Sequence, residues 1–152
     1  MIKSIFLEVS DRIGSRVPEF RWVDQDMGQI DVRQGERPQV AMPCSVVSVE
    51  FTDCSDIDSS GLNQACNGRI IVRMLWDKPM QRTATAYPTD KREADLDPYN
   101  TVGNMYLALQ AMKSRLMSRV TRRSQRKVTR ADGLFEYRME FQFTADDETA
   151  DV

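Results

Sequence analysis

Histidine is absent from this chain of 152 residues. Its absence excludes Ser-His and Cys-His nucleophile arrangements and removes the commonest general base and metal ligand. Catalysis by carboxylates alone is chemically open, but no pair of acids stands out from the surface acids. Gly-rich phosphate-binding loops are also missing from the sequence. These absences disfavour a small enzyme or a ligand carrier.

Cysteines and long apolar runs are scarce. The three cysteines, Cys44, Cys54 and Cys66, are odd in number and lack CxxC spacing. This argues against a disulfide framework and for folding in a reducing compartment. No apolar stretch approaches the roughly 20 residues of a membrane helix, and residues 1–6 begin an amphipathic pattern instead of a signal peptide. We therefore expect a soluble protein, made in a cytoplasm and without a membrane partner.

Charge is nearly balanced overall but unevenly distributed along the chain. The formal net charge is −2 and 41% of the residues are hydrophobic, as in ordinary globular domains. Residues 113–130 contain eight Lys or Arg and no acid, whereas residues 145–152 contain four acids and no base. We predict a single α+β domain over residues 1–144, followed by a flexible acidic tail over residues 145–152.

The clearest pattern of secondary structure lies near the C-terminus. Asp132-Gly133 stands between two extended segments and predicts a β-hairpin, because a type I′ turn needs positive φ at both central residues. The first strand, residues 124–130, is basic. In the second, apolar residues alternate with charged or amide residues, which predicts a half-buried strand with one wet face. Its apolar positions are Phe135, Tyr137, Met139, Phe141 and Phe143.

Periodicity assigns the remaining elements. Apolar residues spaced by three or four predict helices over residues 2–14 and 97–120, and Asp97-Pro98 is a good helix start. Alternating or largely apolar runs predict strands over residues 20–24, 44–52 and 68–77. Turn-forming residues predict irregular segments over residues 26–43, 53–67 and 78–96. The order predicts an α+β fold with a mixed or antiparallel sheet of about four strands and two helices packed on one face.

Residues 56–61 resemble the first half of a calcium-binding loop, with oxygen ligands at alternate positions followed by Gly61. The twelfth position is Asn67, so the bidentate Glu is missing, and neither flank has a helical pattern. A flexible acidic loop is the favoured interpretation of this segment.

The basic run at residues 113–130 has three interpretations: a solvated face, a surface that pairs with acids of another subunit, or a nucleic-acid contact. No aromatic residue interleaves it, and the pI of about 5.2 counts against nucleic acid. The second interpretation defines a candidate subunit or partner interface. Its members are Arg115, Arg119, Arg122, Arg123, Arg126 and Arg130, together with Asp53, Asp56 and Asp58.

This succession of elements resembles the small virion proteins that complete the tails of tailed phages, a family that includes the lambda-like minor tail protein U. The Pro-bracketed entry to a central strand over residues 37–47 is similar in kind to that family. So is the Asp-Gly turn before an aromatic last strand. The chain is also similar to uncharacterised prophage proteins of Bacteroidetes-type bacteria. The resemblance is carried by residues 2–13, 38–51, 69–76, 102–120 and 128–143.

The resemblance implies a tail terminator. Such proteins form a homo-oligomeric ring, commonly a hexamer, that caps the tail tube, ends its polymerisation and docks onto the head-tail connector. The resemblance therefore implies a protein that is not an enzyme and has no cofactor, metal or small-molecule substrate. The implied partners are further copies of the chain, the tail tube protein and the neck connector protein, in a virion assembled in the bacterial cytoplasm. Residues 53–67 and 78–96 would then contact neighbours and order on assembly. A head-completion or neck connector protein is the alternative, followed by a nucleic-acid-binding module using residues 113–130.

Overall fold

A five-stranded sheet forms the centre of the structure, a computed structural model that describes residues 1–33 and 36–147. The strands are β1 (Trp22–Gln25), β2 (Cys44–Cys54), β3 (Gln64–Pro79), β4 (Thr121–Val128) and β5 (Leu134–Asp147). Their order across the sheet is β1-β2-β3-β5-β4. β1 is parallel to β2, and the other neighbours are antiparallel. The predicted α+β class is therefore confirmed, with five strands in place of about four.

The helices are α1 (Ile2–Arg16), α2 (Thr89–Asp95) and α3 (Asp97–Leu109). α1 and α3 cover one face of the sheet. The apolar stripes of α1 and α3 enter the main core with the inward residues of the sheet, and the Arg12 Nε donates to the Ala108 carbonyl of α3 at 2.5 Å. α2 falls within the segment predicted as a loop over residues 78–96 and buries no residue. No helix in the described ranges has the length and apolarity needed to cross a membrane.

The helix predicted over residues 97–120 was wrong beyond Leu109. Gln110 is extended, and Ala111 has a φ of 62°, which ends α3. The following residues form a loop that closes on itself, because the Ala111 amide donates to the Val120 carbonyl at 2.8 Å and the Val120 amide donates to the Met112 carbonyl at 2.7 Å. Met112, Met117 and Val120 are buried all the same. The apolar spacing thus predicted burial correctly and helicity incorrectly.

The face of the sheet opposite the helices is partly covered as well. Ile30, from the irregular segment between β1 and β2, packs in a second, smaller cluster with Cys44, Val46, Leu75 and Leu134. Burial raises the pKa of the Cys44 thiol to about 11. β3 is therefore apolar on both faces at this end, which agrees with its central position in the sheet.

The segment predicted as a loop over residues 53–67 is shorter in the structure. β2 extends to Cys54 and β3 begins at Gln64, so the turn between them spans only residues 55–63. Cys54 and Cys66 stand opposite each other in the ladder and form a disulfide. The cysteine count argued against a disulfide framework, and the structure has this disulfide within the β2–β3 hairpin, while the third cysteine, Cys44, is free and buried.

The predicted β4–β5 hairpin is confirmed, but its turn is not of type I′. Among the turn residues only Gly133 has a positive φ, of 75°, and its amide donates to the Arg130 carbonyl at 3.2 Å. The aromatic face of β5 is buried in the main core, as predicted. β5 continues to Asp147, so residues 145–147 of the predicted flexible tail belong to the sheet. Residues 148–152 of that tail lie outside the described residues.

Candidate interaction surface

β4 is an edge strand with every position from Thr121 to Lys127 exposed. It pairs with β5 on its inner side, and in residues 1–33 and 36–147 no strand pairs with its outer side. Such an edge presents unpaired backbone N–H and C=O groups to other chains. Four of the eight basic residues singled out in the sequence lie on it: Arg122, Arg123, Arg126 and Lys127.

Two of the predicted interface arginines are held along β4 by uncharged partners. The Arg122 guanidinium lies 4.0 Å from the centroid of the Tyr106 ring and donates to the Gln125 Oε1 at 2.7 Å. The Arg123 Nε donates to the Gln142 Oε1 at 2.5 Å. Their positive charges are therefore positioned but not neutralised by these contacts.

Arg126 and Arg138 stand directly opposite each other in the β4–β5 ladder. Like charges in such pairs destabilise a sheet. Among the described residues, no carboxylate forms an ion pair with either side chain. The two arginines therefore form an uncompensated cationic site on the sheet face opposite the helices.

Arg130 does not fit the predicted interface. Its side chain is only 7% exposed, and it donates to Asp132 at 3.0 and 2.8 Å, to Glu136 at 2.6 Å and to the Ile30 carbonyl at 2.5 Å. Burial disfavours the charged form, but the hydrogen bonds to Asp132 and Glu136 outweigh it and raise the pKa of Arg130. The hydrogen bond from Arg130 lowers the pKa of Asp132 in turn. Arg130 is an internal group, and we leave it out of the candidate interface.

Glu136 links Arg130 to Arg73 in a buried ion network that sequence reasoning missed. The Glu136 side chain is 1% exposed, and it accepts from Arg73 at 3.1 and 3.3 Å. Arg73 also donates to Asp31 at 2.9 and 2.6 Å and lies 3.5 Å from Asp26. The hydrogen bond from Arg73 lowers the pKa of Asp31. The network fastens the segment after β1 onto the sheet, so the face predicted to be wet is closed at this end.

Arg115 and Arg119 lie in the closed loop after α3 and not on a helix, and both are exposed. Arg115 lines a shallow recess with Met1 and Asp146, among others. These two residues extend the positive surface beyond the start of β4 but are not part of the strand.

The predicted acids Asp53, Asp56 and Asp58 are exposed around the β2–β3 turn. Asp58 organises that turn: its Oδ1 accepts from the Ser60 amide at 3.0 Å and the Ser60 hydroxyl at 2.5 Å. The hydroxyl contact lowers the pKa of Asp58. In the described part of the chain, no three His, Cys, Asp or Glu side chains lie close enough to hold a metal ion. The turn is thus built by internal hydrogen bonds of the acidic loop.

The structure keeps the basic and the acidic members of the predicted interface apart within one chain. Asp53 lies in β2 and the other two acids lie in the turn after it. Arg122, Arg123 and Arg126 lie on β4, and β3 and β5 separate β2 from β4. Pairing between these acids and the arginines of β4 therefore requires different copies of the chain.

β1 covers only the first part of the outer side of β2. It pairs with residues 44–47, and the chain turns away after the Asp26 amide donates to the Val47 carbonyl at 2.8 Å. Residues 48–54 pair with β3 on one side and with no described strand on the other. A cavity of about 330 Å³ lies at this step, lined in part by Phe6, Asp26 and Val49. The sequence held no signal for this open edge, because alternation does not reveal how far β1 pairs.

No known protein family matches this chain, and no curated protein is significantly similar to it. The family resemblance in the order of elements therefore stays a prediction.

Proposed function

We propose that the protein is a structural component of a phage virion, a tail terminator whose copies form a ring at the end of the tail tube. One observation carries this proposal: positive and negative surfaces lie on opposite edges of one sheet and cannot meet within a chain. Complementary charge steers association and fixes its register. A patch that fits a different patch on the next copy gives a head-to-tail contact, and such contacts close into a ring when the rotation allows.

The order of the elements supports the virion role. An N-terminal helix, strands joined by loops, the helices α2 and α3 and a final hairpin follow one another. This order is similar to that of the tail-completion proteins that the sequence resembles, although α3 ends at Leu109. A ring seated on the tube would stop polymerisation by occupying the end that accepts the next tube subunit. Its other side would meet the head-tail connector. Neither task needs a catalytic group or a cofactor.

The test uses the purified full chain and the tail tube protein encoded by a neighbouring gene. Mass photometry should find a discrete homo-oligomer, and negative-stain images should show rings at tube ends and an arrest of tube growth. A chain that neither oligomerises nor touches tube ends would refute the proposal.

A neck or head-completion connector is the second candidate, because the same charged edges would build the ring it needs. It predicts binding to the portal-proximal connector and no effect on tube growth, so the same images separate the two roles. A nucleic-acid-binding module would use the uncompensated Arg126–Arg138 site. It predicts a monomer whose affinity for DNA falls steeply with salt, measured by fluorescence anisotropy.

A further inference from the structure

β1 pairs with only part of the outer edge of β2 and leaves residues 48–54 open. β4 has a suitable length and charge to pair with this open part. We propose that β4 of one copy adds to residues 48–54 of β2 in the next copy, so that the sheets of neighbouring copies become continuous. The setting rests on the proposed function, since this contact is the one that would build the ring. The contact itself follows from the two open edges, their directions and their charges.

The lengths of the two edges agree. β4 has eight residues, and residues 48–54 of β2 are open on the side that β1 leaves. In strand addition, main-chain hydrogen bonds provide the affinity and alternate side chains provide the specificity. β1 and the added β4 would lie end to end beside β2, with β1 against residues 44–47 and β4 against the rest.

The strand directions also agree. β2, β3, β5 and β4 follow one another as antiparallel neighbours, so β4 runs opposite to β2 within one copy. Two copies placed side by side in the same orientation therefore bring β4 of one antiparallel to β2 of the next, and neither has to be inverted. Equal orientation about one axis is the relation between the subunits of a ring.

The side-chain faces select a register. Val49 and Phe51 pack into the main core, so Glu50 lies on the opposite face, where it pairs with Arg69. Arg126 lies on that same face, opposite Arg138. Pairing Arg126 with Glu50 of the next copy supplies the carboxylate that the two arginines lack.

The same register places Lys127 opposite Val49 of the next copy. Val49 borders the cavity at the end of β1, and Asp26 lines that cavity too. Lys3 lines the cavity as well, and the Asp26 carboxylate lies 3.5 Å from Arg73 on the other face of the sheet, so Lys127 would contribute main-chain pairing and no ion pair. At the other end of the contact, Arg123 would approach Asp53 of the next copy. The Arg126–Glu50 and Arg123–Asp53 contacts thus join opposite charges.

A second β4 does not fit as the occupant. Two β4 strands paired antiparallel would set arginines of one copy against arginines of the other, and like charges opposite each other are unfavourable. No acid occurs in residues 113–130 to relieve the repulsion. The charges therefore favour the acidic edge of β2 as the partner of β4.

A charge swap tests the proposal. Arg126→Glu and Glu50→Lys should each weaken self-association by about tenfold or more, because each places like charges at the contact. The double variant, with both changes in one chain, should restore the oligomer. Lys113→Glu is the matched control: it makes the same charge change in the basic run but away from β4, and it should associate as the wild type does. Mass photometry across a concentration series measures all four proteins.

Circular dichroism and melting curves check that each variant folds. If Glu50→Lys fails to fold, because it also loses the contact with Arg69, Arg123→Glu and Asp53→Lys replace the first pair in the same design. Single variants that associate like the wild type would overturn strand addition, and so would a double variant that stays dissociated. A monomer that binds DNA through Arg126 would overturn it as well.

The outcomes separate this inference from the proposed function. Rings that cap tubes and ignore the charge swap would leave the terminator role standing and refute the β4–β2 contact. Rescue by the double variant in a protein that does not affect tubes would support the contact and refute the terminator role.

Discussion

Removal of the Glu136 carboxylate should be the most costly single truncation in the buried ion network. Glu136 is 1% exposed and accepts from Arg130 at 2.6 Å and from Arg73 at 3.1 Å. Glu136→Ala leaves two largely buried guanidinium groups short of one acceptor. It also removes one of the groups that join the β4–β5 turn to the segment after β1, the other being the Arg130 hydrogen bond to the Ile30 carbonyl.

The magnitude follows from the partners that remain. Breaking a buried ion pair by removing one member costs about 3–5 kcal/mol. Arg130 keeps Asp132, and Arg73 keeps Asp31, so we expect about 3 kcal/mol, at the lower end of that range. Glu136→Gln retains an acceptor oxygen and the shape of the side chain, and it should cost about 1 kcal/mol.

Urea unfolding at fixed protein concentration measures the effect. With an m value of about 2 kcal/mol/M, the midpoint of Glu136→Ala should fall by about 1.5 M, and the melting temperature should fall by about 6–12 °C. Glu140→Ala is the control, since Glu140 lies on the same face of β5 but is 25% exposed and 3.5 Å from Arg69. It should cost less than about 1 kcal/mol. A Glu136→Ala midpoint no lower than that of Glu140→Ala would refute the reasoning.

Three further predictions concern the packing of the core, the loss of stability at low pH and the reactivity of the cysteines. Gly68→Ala places a Cβ 2.3 Å from the buried Phe143 ring and should cost about 1–3 kcal/mol in urea unfolding; Phe143→Leu in the same chain should relieve part of it, and strict additivity would contradict the contact. The lowered pKa values of Asp31 and Asp132 stabilise the fold above their unfolded pKa of about 3.9, and this stability is lost as the pH falls through the folded values. Asp132→Asn should therefore lose less stability on acidification than the wild type, and an equal loss would contradict the assignment. The buried Cys44, with its pKa raised to about 11, should resist alkylation in the native protein at about pH 8. In urea without reductant it should take up one label by intact-mass measurement, and reduction should expose Cys54 and Cys66 as well; three labels without reduction would contradict the disulfide.

Sequence patterns predicted the elements whose period and burial coincide. The alternation of β5 is strict because one of its faces packs in the main core. The apolar stripe of α1 is equally regular because only one side of that helix packs in the same core. The pattern after Leu109 misled because Met112, Met117 and Val120 are buried from a closed loop. Apolar spacing shows that residues are inside, whereas the helix needs backbone angles that Ala111 does not adopt.

The candidate surface was predicted in part. Charge clustering alone singled out Arg122, Arg123 and Arg126, which lie exposed on β4. It could not separate them from Arg130, because the partners of Arg130 include an Ile30 carbonyl a hundred residues away in the chain. The open edge of β2 was likewise out of reach, since it depends on where β1 stops pairing.

The central position of β3 also governs when this chain can fold. β3 needs β5 as its second neighbour, yet α2, α3 and β4 lie between them in the sequence. During synthesis, the edge of β3 that pairs with β5 therefore stays unpaired until β5 has been made. Contacts between residues so far apart in the sequence slow folding, and the unpaired edge of β3 can meanwhile aggregate with other chains. Cys54 and Cys66 both lie in the β2–β3 hairpin. The tip of this hairpin can therefore form before the rest of the sheet exists.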